Sequence, residues 1–392
     1  MKKLFLILTL FVCLGIFGSH TAHAQTSTVV ADTYQTVKAK VLDINSQSPS
    51  QLPGTTAEDM TQNIDVQILD GNEKGKIVNL DNNYFMLTQG QTFYLLHTTD
   101  GQSGAEYYSV QDPYRLPALV FLIGLFVVCV FLFGGWQGIR GLVSLAGSLL
   151  LIMYVLIPSI LKGYSPILVT TLVSALIIII GSYVTHGVNK TTSAAVVGMI
   201  LTVIFTGLLA FEAVHMTQLT GYGSEEATYL NLNSGGTINI LGLLIGGIII
   251  GLLGVLYDVA IGQAIAVEEL SRIAPHVSRR HIFKRALRIG REHIGALVNT
   301  LAIAYVGVSL PLLLLFSQNP TAGFGVTVNR EIFATEIVRT MIGSIGLVLA
   351  VPITTAIAVW LLMKKKSAAN PETLASEEHA LSHAEHGHSH SH

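Results

Sequence analysis

Charge is scarce in this chain of 392 residues: 12% are Asp, Glu, Lys or Arg, whereas 51% are hydrophobic. Soluble domains carry about 25% charged residues, so the composition excludes an ordinary soluble protein. The apolar residues gather in blocks of roughly 20, the length that a helix needs to cross a bilayer. The net charge of −2 indicates no further partner, because the charges are unevenly distributed. We therefore expect the lipid bilayer, and not a nucleic acid, as the partner.

Cysteine is almost absent, since only Cys13 and Cys129 occur. Cys13 lies in an N-terminal stretch with two lysines, an apolar core and a small-residue motif that ends at Ala24, which is typical of secretion signals. We expect residues 1–24 to be a signal peptide; the alternative, an uncleaved anchor, leaves the downstream topology unchanged. The one remaining thiol cannot form an internal disulfide, so the exported part must fold without one.

Residues 25–115 form a polar segment with eleven acidic and five basic residues. Runs such as VKAKVLDI, NIDVQIL and GKIVNL alternate apolar and polar residues, and turn-type clusters such as DGNEKG and TDGQSG separate them. A period near two predicts a small, exported, barrel-like β-domain. It shows no His/Asp/Ser arrangement and no metal-ligand spacing, so we expect a sensing or docking module.

Seven apolar blocks follow within residues 116–363, a region that we expect to be a helical transmembrane domain. Backbone groups in lipid must be satisfied within their own segment, so each block is predicted to be a helix. The expected fold is thus a polytopic α-helical membrane protein of about seven transmembrane helices, preceded by a signal peptide and a small exported all-β domain. The predicted spans are residues 116–135, 142–161, 166–186, 193–213, 238–260, 294–316 and 340–363.

Basic residues indicate the orientation of these spans. If the β-domain is exported, the predicted inner loops hold Arg140, Lys190, a basic cluster within 271–292 and the lysines of 364–366, which fits the positive-inside rule. We therefore expect a multi-pass protein of the cell membrane, with an extracytoplasmic N-terminal domain and a cytoplasmic tail over 364–392. The basic cluster is interpreted as a topology determinant on lipid headgroups; a nucleotide or protein docking site is the alternative.

The fifth predicted span carries an acidic residue, Asp258, in the stretch GLLGVLYDVAIGQAIAVEEL. An ionised carboxylate in lipid costs at least ~2.5–3.5 kcal/mol, so we expect Asp258 to be protonated or paired. Small residues let another helix approach closely, which predicts a tight seam around the carboxylate. The helix-packing glycines that share its face are Gly247, Gly251, Gly254 and Gly262.

The sixth and seventh spans offer partners for Asp258. Asn299 can donate a hydrogen bond to it, and Tyr305 is a second candidate. Pro311 and Pro352 interrupt these two spans, as in the broken-helix sites of transporters. Two alternatives remain: Asp258 and Asn299 only hold helices together, or Asp258 is hydrated near the inner interface. The predicted intramembrane polar site comprises Asp258, Asn299, Thr300, Tyr305 and Thr354.

Other polar residues give weaker signals. Charges near the outer ends of the spans suggest a vestibule for a cation, with solvated helix ends as the alternative; these residues are Glu212, His215, Glu225, Glu226, Glu336 and Arg339. Imidazoles bind transition metals, so the tail offers weak metal capture, with a disordered hydrophilic tail as the alternative. Its candidate ligands are His386, His388, His390 and His392. The sequence requires no cofactor.

Several ordered stretches resemble the YibE/F-like membrane proteins, among them IIIGLLGVLYDVAIGQAIAVEEL, IGREHIGALVNTLAIAYVGVSLPLLLLF and EIFATEIVRTMIGSIGLVLAVPITT. The resemblance runs over about 116–363, and the exported domain suits the longer, YibE-like branch. It implies a multi-span protein that is often assumed to transport something. It also implies a shorter sibling without the exported domain, hence a hetero-oligomer.

Two function classes stay open. The first is a membrane transporter or permease component of unknown substrate, with its polar site between spans five, six and seven. The second is a non-transporting scaffold or sensor whose β-domain binds an envelope ligand or partner. We expect no enzyme, because the membrane part shows no nucleophile–base pair or metal constellation, and we interpret His281 and His293 as interfacial.

Overall fold

The computed structural model describes residues 32–51, 58–317 and 323–363. The predicted signal peptide, 1–24, and the histidine-rich tail, 364–392, lie outside the described residues. The chain divides into two compact units, Met1–Phe126 and Val127–His392. The first contains the strands, and the second contains most of the helical part.

The strands form one antiparallel half-barrel sheet in the order β3-β2-β1-β4-β5. Alternate residues of the central strands point into its core, where Ala39, Ile64 and Phe93 are 0% exposed. The predicted period of two is thereby confirmed. The strands are β1 (Thr33–Gln51), β2 (Glu58–Ile68), β3 (Ile77–Asn82), β4 (Thr92–Thr99) and β5 (Glu106–Pro113).

The rest of the described chain is helical. The first helix continues through a π-helical stretch, Ile152–Leu156, into the second. The helices are α1 (Leu116–Leu151), α2 (Ile157–Leu161), α3 (Pro166–His186), α4 (Lys190–Met216), α5 (Glu225–Asn233), α6 (Ile240–Ile273), α7 (Arg279–Val308), α8 (Leu310–Ser317), α9 (Phe324–Val328) and α10 (Glu331–Leu362).

Five helical stretches of the described chain are long and apolar enough to cross a membrane. A sixth arises if α7 and α8, which meet at a bend of 67°, form one broken span. The polytopic helical architecture is therefore present, but the predicted count of seven is not confirmed. The difference lies in Leu116–Leu161, which counts as one helical stretch of 46 residues although the sequence predicts two spans there.

A sharp break at Gly135 interrupts this long stretch. Gly135 has φ 53° and ψ −143°, which is non-helical and favours glycine. A Cβ at Gly138 would lie 2.7 Å from the carbonyl oxygen of Val130. Residues eight apart in a continuous helix are about 12 Å apart along its axis, so the chain turns back on itself at Gly135. The break coincides with the predicted boundary between the first two spans.

The core of the helical unit lies between α4, α6 and α10. Met199, Ile245 and Leu347 are among its buried side chains. By contrast, α1 buries no side chain, and residues such as Leu132 are exposed along it, as expected for a lipid-facing helix. This packing leaves α6 and α7 side by side.

Candidate functional site

A cavity of about 340 Å³ lies between α6, α7 and α10. Asp258 and Gln263 of α6 reach it from one side, and His293 of α7 from the other. The remaining lining residues are Val259, Gly262, Ile289, Gly290, Ala296, Leu297 and Val351. We call this space the Asp258 cavity. A carboxylate, an amide and an imidazole thus face one mostly apolar space, between the fifth, sixth and seventh predicted spans.

Gln263 ties the three helices of the cavity together. The Thr355 hydroxyl donates its one proton to the carbonyl of Val351 at 2.6 Å, so its oxygen accepts from the amide of Gln263 at 2.9 Å. The same NH₂ group donates to the carbonyl of Ala286 at 3.2 Å, and the Gln263 oxygen accepts from the Gly290 N–H at 3.3 Å. A side chain that is 5% exposed therefore has its hydrogen bonds satisfied by α7 and α10.

Asp258 has no such anchorage. It is exposed on α6, whereas its neighbour Val259 is buried. No hydrogen bond or ion pair joins its carboxylate to another described residue. The predicted direct pairing with Asn299 is therefore absent, and the carboxylate faces the cavity.

Comparison with sequence models of protein families matches residues 122–364 to the YibE/F-like proteins. The chain belongs to the YibE/F-like family. The match includes every helix that lines the Asp258 cavity and excludes strands β1–β5. Neither the search of curated proteins nor the search of solved structures returned a match.

The glycine face of this YibE/F-like chain requires a correction. A Cβ at Gly251 would lie 2.5 Å from the hydroxyl oxygen of Tyr305, but nothing lies within 4 Å of a Cβ at Gly247, Gly254 or Gly262. The prediction of close packing is wrong for these three. The reason is the rotation of α6 about its own axis, which directs a row of large side chains into the core instead: Ile245, Ile248, Ile249, Leu252 and Leu256.

The other predicted site residues are dispersed. Asn299 and Thr300 are exposed on α7, and neither lines the cavity; the Thr300 hydroxyl donates to the carbonyl of Ala296 at 2.9 Å. Thr354 is buried on α10 against Gly198 of α4. The structure thus brings Asp258 together with two residues outside the predicted set, Gln263 and His293.

A sequence signal existed for one of these two residues. Gln263 is the only polar side chain between Asp258 and Glu268, and an amide inside such an apolar run needs partners. For His293 the composition gave no such signal, because charged residues precede it. The described structure places it on the cavity wall, where sequence reasoning expected an interfacial residue.

The predicted proline interruptions differ from each other. Pro311 follows the 67° bend between α7 and α8, so the chain is broken there. Pro352 lies inside α10, which remains helical through it. Only the sixth predicted span is therefore a broken helix.

Of the residues predicted to line an outer vestibule, the structure brings Glu336 and Arg339 together. Arg339 donates to Glu336 at 2.8 Å, and Ser309 donates to the same carboxylate at 3.3 Å. No described contact joins the other four residues to this pair: Glu212, His215, Glu225 and Glu226 are all exposed. Glu331, which precedes Glu336 on α10, accepts from the backbone N–H groups of Thr220 and Gly221 at 2.8 and 2.7 Å.

The β unit holds a charged group that sequence reasoning missed, formed by Glu73, Lys76, His97, Glu106 and Tyr108, which we call the Lys76 cluster. Lys76 donates to Glu73 at 2.7 Å, to Glu106 at 3.0 Å and to Tyr108 at 2.7 Å. His97 stacks on Tyr108 with ring centroids 4.7 Å apart. These residues come from three separate stretches of the sequence, 73–76, 97 and 106–108, which only the fold brings together.

The carboxylates of the Lys76 cluster share one ammonium group, that of Lys76. Hydrogen bonds from Lys76 and Tyr108 lower the pKa of Glu73 and of Glu106, and those carboxylates raise the pKa of Lys76. Burial raises the pKa of Tyr108 to about 12. Glu73, His97 and Glu106 bring potential metal-ligand atoms within 4.8 Å of one another. The Lys76 ammonium already donates to both carboxylates, which favours a structural role for the cluster.

Proposed function

We propose that this YibE/F-like protein is a membrane transporter or permease component of unknown substrate, with Asp258 as the central polar residue of its site. One observation carries the proposal: a carboxylate without a described hydrogen bond or ion pair faces a cavity between three helices of the apolar bundle. Ionisable residues inside membrane segments are costly and mark substrate or ion pathways. The cavity volume of about 340 Å³ also falls in the range of small-ligand sites.

The depth of Asp258 supports this reading over an interfacial one. Glu268, ten residues further along α6, accepts a hydrogen bond from Thr191 at 2.7 Å, next to Lys190 at the start of α4. These charges mark one membrane boundary, and the exposed Trp360 is typical of such a boundary. Ten helical residues cover about 15 Å, half of the ~30 Å hydrocarbon layer. Asp258 is thereby proposed to lie near the middle of the bilayer.

The chemistry of the site favours a cation or a proton. Asp258 offers an anionic oxygen, His293 offers an imidazole nitrogen, and Gln263 holds the helices in place. A carboxylate beside an imidazole can exchange protons with a passing solute, whereas an anion would meet repulsion from Asp258. The proposal includes no bond-making step.

The number of spans and their orientation in the membrane belong to the same proposal. The turn at Gly135 divides Leu116–Leu161 into two spans, which makes seven with α3, α4, α6, α7–α8 and α10. In that arrangement the β unit is extracytoplasmic in the cell membrane and the C-terminus cytoplasmic, after a cleaved signal peptide. A shorter family sibling is the proposed partner in a hetero-oligomer, as the family resemblance implies.

The test is proton flux into proteoliposomes that contain the full-length protein, driven by an imposed membrane potential and followed with a trapped pH dye. We expect Asp258→Asn to abolish a flux that the unaltered protein shows. Glu269→Gln is the matched control, because Glu269 lies on the same helix, outside the cavity, in an ion pair with Arg272. Undiminished flux through a folded Asp258→Asn variant would overturn the proposal.

A non-transporting scaffold or sensor is the second candidate, and the surface of the β unit favours it. Tyr34, Tyr84 and Tyr107 are 65%, 67% and 60% exposed there. Tyrosine is enriched at protein interfaces, so this surface suits an envelope ligand or partner. In that case Asp258→Asn leaves the binding of this ligand or partner intact, whereas replacing the three tyrosines by serine removes that binding.

A further inference from the structure

The first four turns of α7 carry a row of basic side chains on one face. They follow one another at intervals of four, four and three residues, a spacing that places them on the same side of a helix. All four are exposed. The opposite side of these turns packs into the core through Ile282 and Ala286, which are 1% and 0% exposed. We call this row the basic ridge; its members are Arg280, Lys284, Arg288 and Arg291.

The side chains of the basic ridge have no partner within the described chain. No described hydrogen bond or ion pair joins one of them to another described residue. The basic residues that precede the ridge differ in this respect. Arg272 pairs with Glu269 at 2.8 Å, and Arg279 donates to the backbone carbonyl of Met363. The protein therefore binds these two bases itself and leaves the ridge open to a partner from its surroundings.

The acidic residues closest in sequence to the ridge do not compensate its charge. Glu268 accepts a hydrogen bond from Thr191 at 2.7 Å, and Glu269 is engaged by Arg272. Glu292, one turn after Arg288, forms no described ion pair with it. Like charges one turn apart on a helix repel and destabilise it. An anion bound along the ridge would therefore stabilise the first turns of α7.

The relative direction of α6 and α7 gives the depth of the ridge. Gly290 of α7 faces Gln263 of α6. Tyr305 comes later on α7, and it faces Gly251, which comes earlier on α6. The two helices are therefore antiparallel, so residues before Gly290 on α7 are level with residues after Gln263 on α6.

This pairing places the basic ridge across the proposed membrane boundary at Glu268. Glu268 follows Gln263 by five residues, and it is thus level with residue 285, near the middle of the ridge. The ridge extends over about 16 Å at a rise of about 1.5 Å per residue. Arg288 and Arg291 lie on the hydrocarbon side of this level, and long basic side chains extend from such positions towards the headgroups. The ridge is therefore at the depth of the phospholipid phosphates.

The surface beside the ridge favours a lipid over a soluble anion. Phe283 and Leu287 lie between the ridge and the buried face of α7, and both are half-buried. A phospholipid combines a charged headgroup with an apolar chain, so it can contact the ridge and these two side chains together. A nucleotide or a free phosphate has no acyl chain for the apolar part of the surface.

We infer that the basic ridge binds the headgroups of anionic phospholipids such as phosphatidylglycerol. Each basic residue near an anionic leaflet strengthens binding about fivefold. A topology signal needs only the number of positive charges, whereas a binding surface needs them on one exposed face, as they are here. The inference also predicts that zwitterionic lipid alone leaves the first turns of α7 less ordered. It does not depend on transport, because it concerns these turns and not the Asp258 cavity.

Quenching of a tryptophan beside the ridge tests the binding. The full-length protein carries Phe283→Trp, with Trp136→Phe and Trp360→Phe, and is reconstituted in phosphatidylcholine vesicles. A small fraction of the lipid is phosphatidylglycerol or phosphatidylcholine that bears the same nitroxide near the top of one acyl chain. We expect the labelled phosphatidylglycerol to bind at least about fivefold more strongly, because the ridge enriches it beside the tryptophan. Equal quenching by the two lipids would overturn the inference.

Removal of the ridge charges tests whether the ridge causes this preference. Arg280→Gln, Lys284→Gln and Arg288→Gln together should make the two lipids quench equally. The matched control removes the same number of exposed charges outside the ridge and should keep the preference. Its substitutions are Arg115→Gln, Lys162→Gln and Arg330→Gln. A preference that survives the ridge variant would overturn the inference. Displacement of the labelled phosphatidylglycerol by adenosine triphosphate at constant ionic strength would also overturn it, because the ridge would then bind a soluble anion.

A second measurement needs no substitution. Hydrogen–deuterium exchange of the unaltered full-length protein is compared in nanodiscs of phosphatidylglycerol and of phosphatidylcholine. We expect residues 279–291 to exchange several-fold faster in phosphatidylcholine, because the repulsion along the ridge is then uncompensated. The buried helix α4 is the internal control and should exchange equally in the two lipids. Equal exchange of residues 279–291 would contradict the stabilisation of α7 by anionic lipid.

Discussion

The Lys76 cluster and the Asp258 cavity each bring carboxylate and imidazole groups together, but only in the cluster are the carboxylates paired with a cation. In the cluster one ammonium donates to both carboxylates and to a tyrosine. In the cavity the carboxylate of Asp258 has no described hydrogen bond, although it belongs to a helix of the apolar bundle. Satisfied polar networks stabilise a fold, whereas an unsatisfied charge persists where function requires it. The comparison agrees with a structural role for the first group and with the proposed function for the second.

The largest effect on stability is expected where α7 meets α6 beside the cavity. Gly290→Ala places a Cβ against the Gln263 amide and 2.5 Å from a methyl carbon of Val351. Overpacking of this kind costs about 1–3 kcal/mol. Chemical denaturation of the full-length protein in mixed micelles measures it.

Gly295→Ala is the matched control for that experiment. It lies on the same helix, and nothing is within 4 Å of its Cβ. Alanine favours a helix over glycine by about 1 kcal/mol, so this variant should be neutral or more stable. Equal losses in the two variants would show that α7 does not pack on α6 through Gly290.

A smaller loss is expected from Gln263→Leu. The substitution removes three hydrogen bonds to Thr355, Ala286 and Gly290 while it keeps the apolar contacts. Hydrogen bonds between membrane helices contribute about 0.6 kcal/mol each on average, so the loss should be about 1–2 kcal/mol. Denaturation under the same conditions measures it, with Thr300→Ala as the exposed control. A more stable Gln263→Leu protein would contradict the tethering role.

The smallest effect concerns the pH dependence of the β unit. The pKa values of Glu73 and Glu106 are lower in the folded protein than their ordinary values, because Lys76 donates to both carboxylates. The stabilisation from these groups is present above pH ~4.5 and is lost as the pH falls through the lowered pKa values. The pKa of Lys76 is raised, so its contribution is present below pH ~10.4 and is lost as the pH rises above it.

Thermal unfolding of the β unit within the full-length protein, followed by tyrosine absorbance, should show a plateau between these limits. Lys76→Gln should weaken both the acid and the alkaline step, while Lys40→Gln is an exposed control on β1. Unchanged steps in Lys76→Gln would mean that the cluster contributes no stability. This result would contradict the structural role of the cluster.

The sequence predicted those features that depend on local periodicity. Alternation predicted the buried face of β1, β2 and β4, and uncharged length predicted α3, α4, α6 and α10. The proposed loop after residue 135 coincides with the turn at Gly135. The location of a polar site between the fifth, sixth and seventh spans rested on Asp258, which does line the cavity there.

Features that depend on the rotation of a helix about its axis were not predictable in this way. Glycine spacing showed that Gly247, Gly254 and Gly262 share a face, but not that a different face of α6 enters the core. In the same way, the rotation of α7 about its axis places His293 on the cavity wall and leaves Asn299 outside the cavity. The Lys76 cluster was not predicted from the sequence, because the pairing of distant strands, not sequence spacing, brings Glu73 to His97.

The most direct test of the account is the unfolding free energy of Asp258→Asn, measured beside its proton flux on one preparation of the full-length protein. If Asp258 serves function and not packing, the variant loses its flux and is at least as stable as the original, because a costly charge is removed. A variant that loses flux and stability together would contradict the account, since Asp258 would then hold the helices in place as Gln263 does.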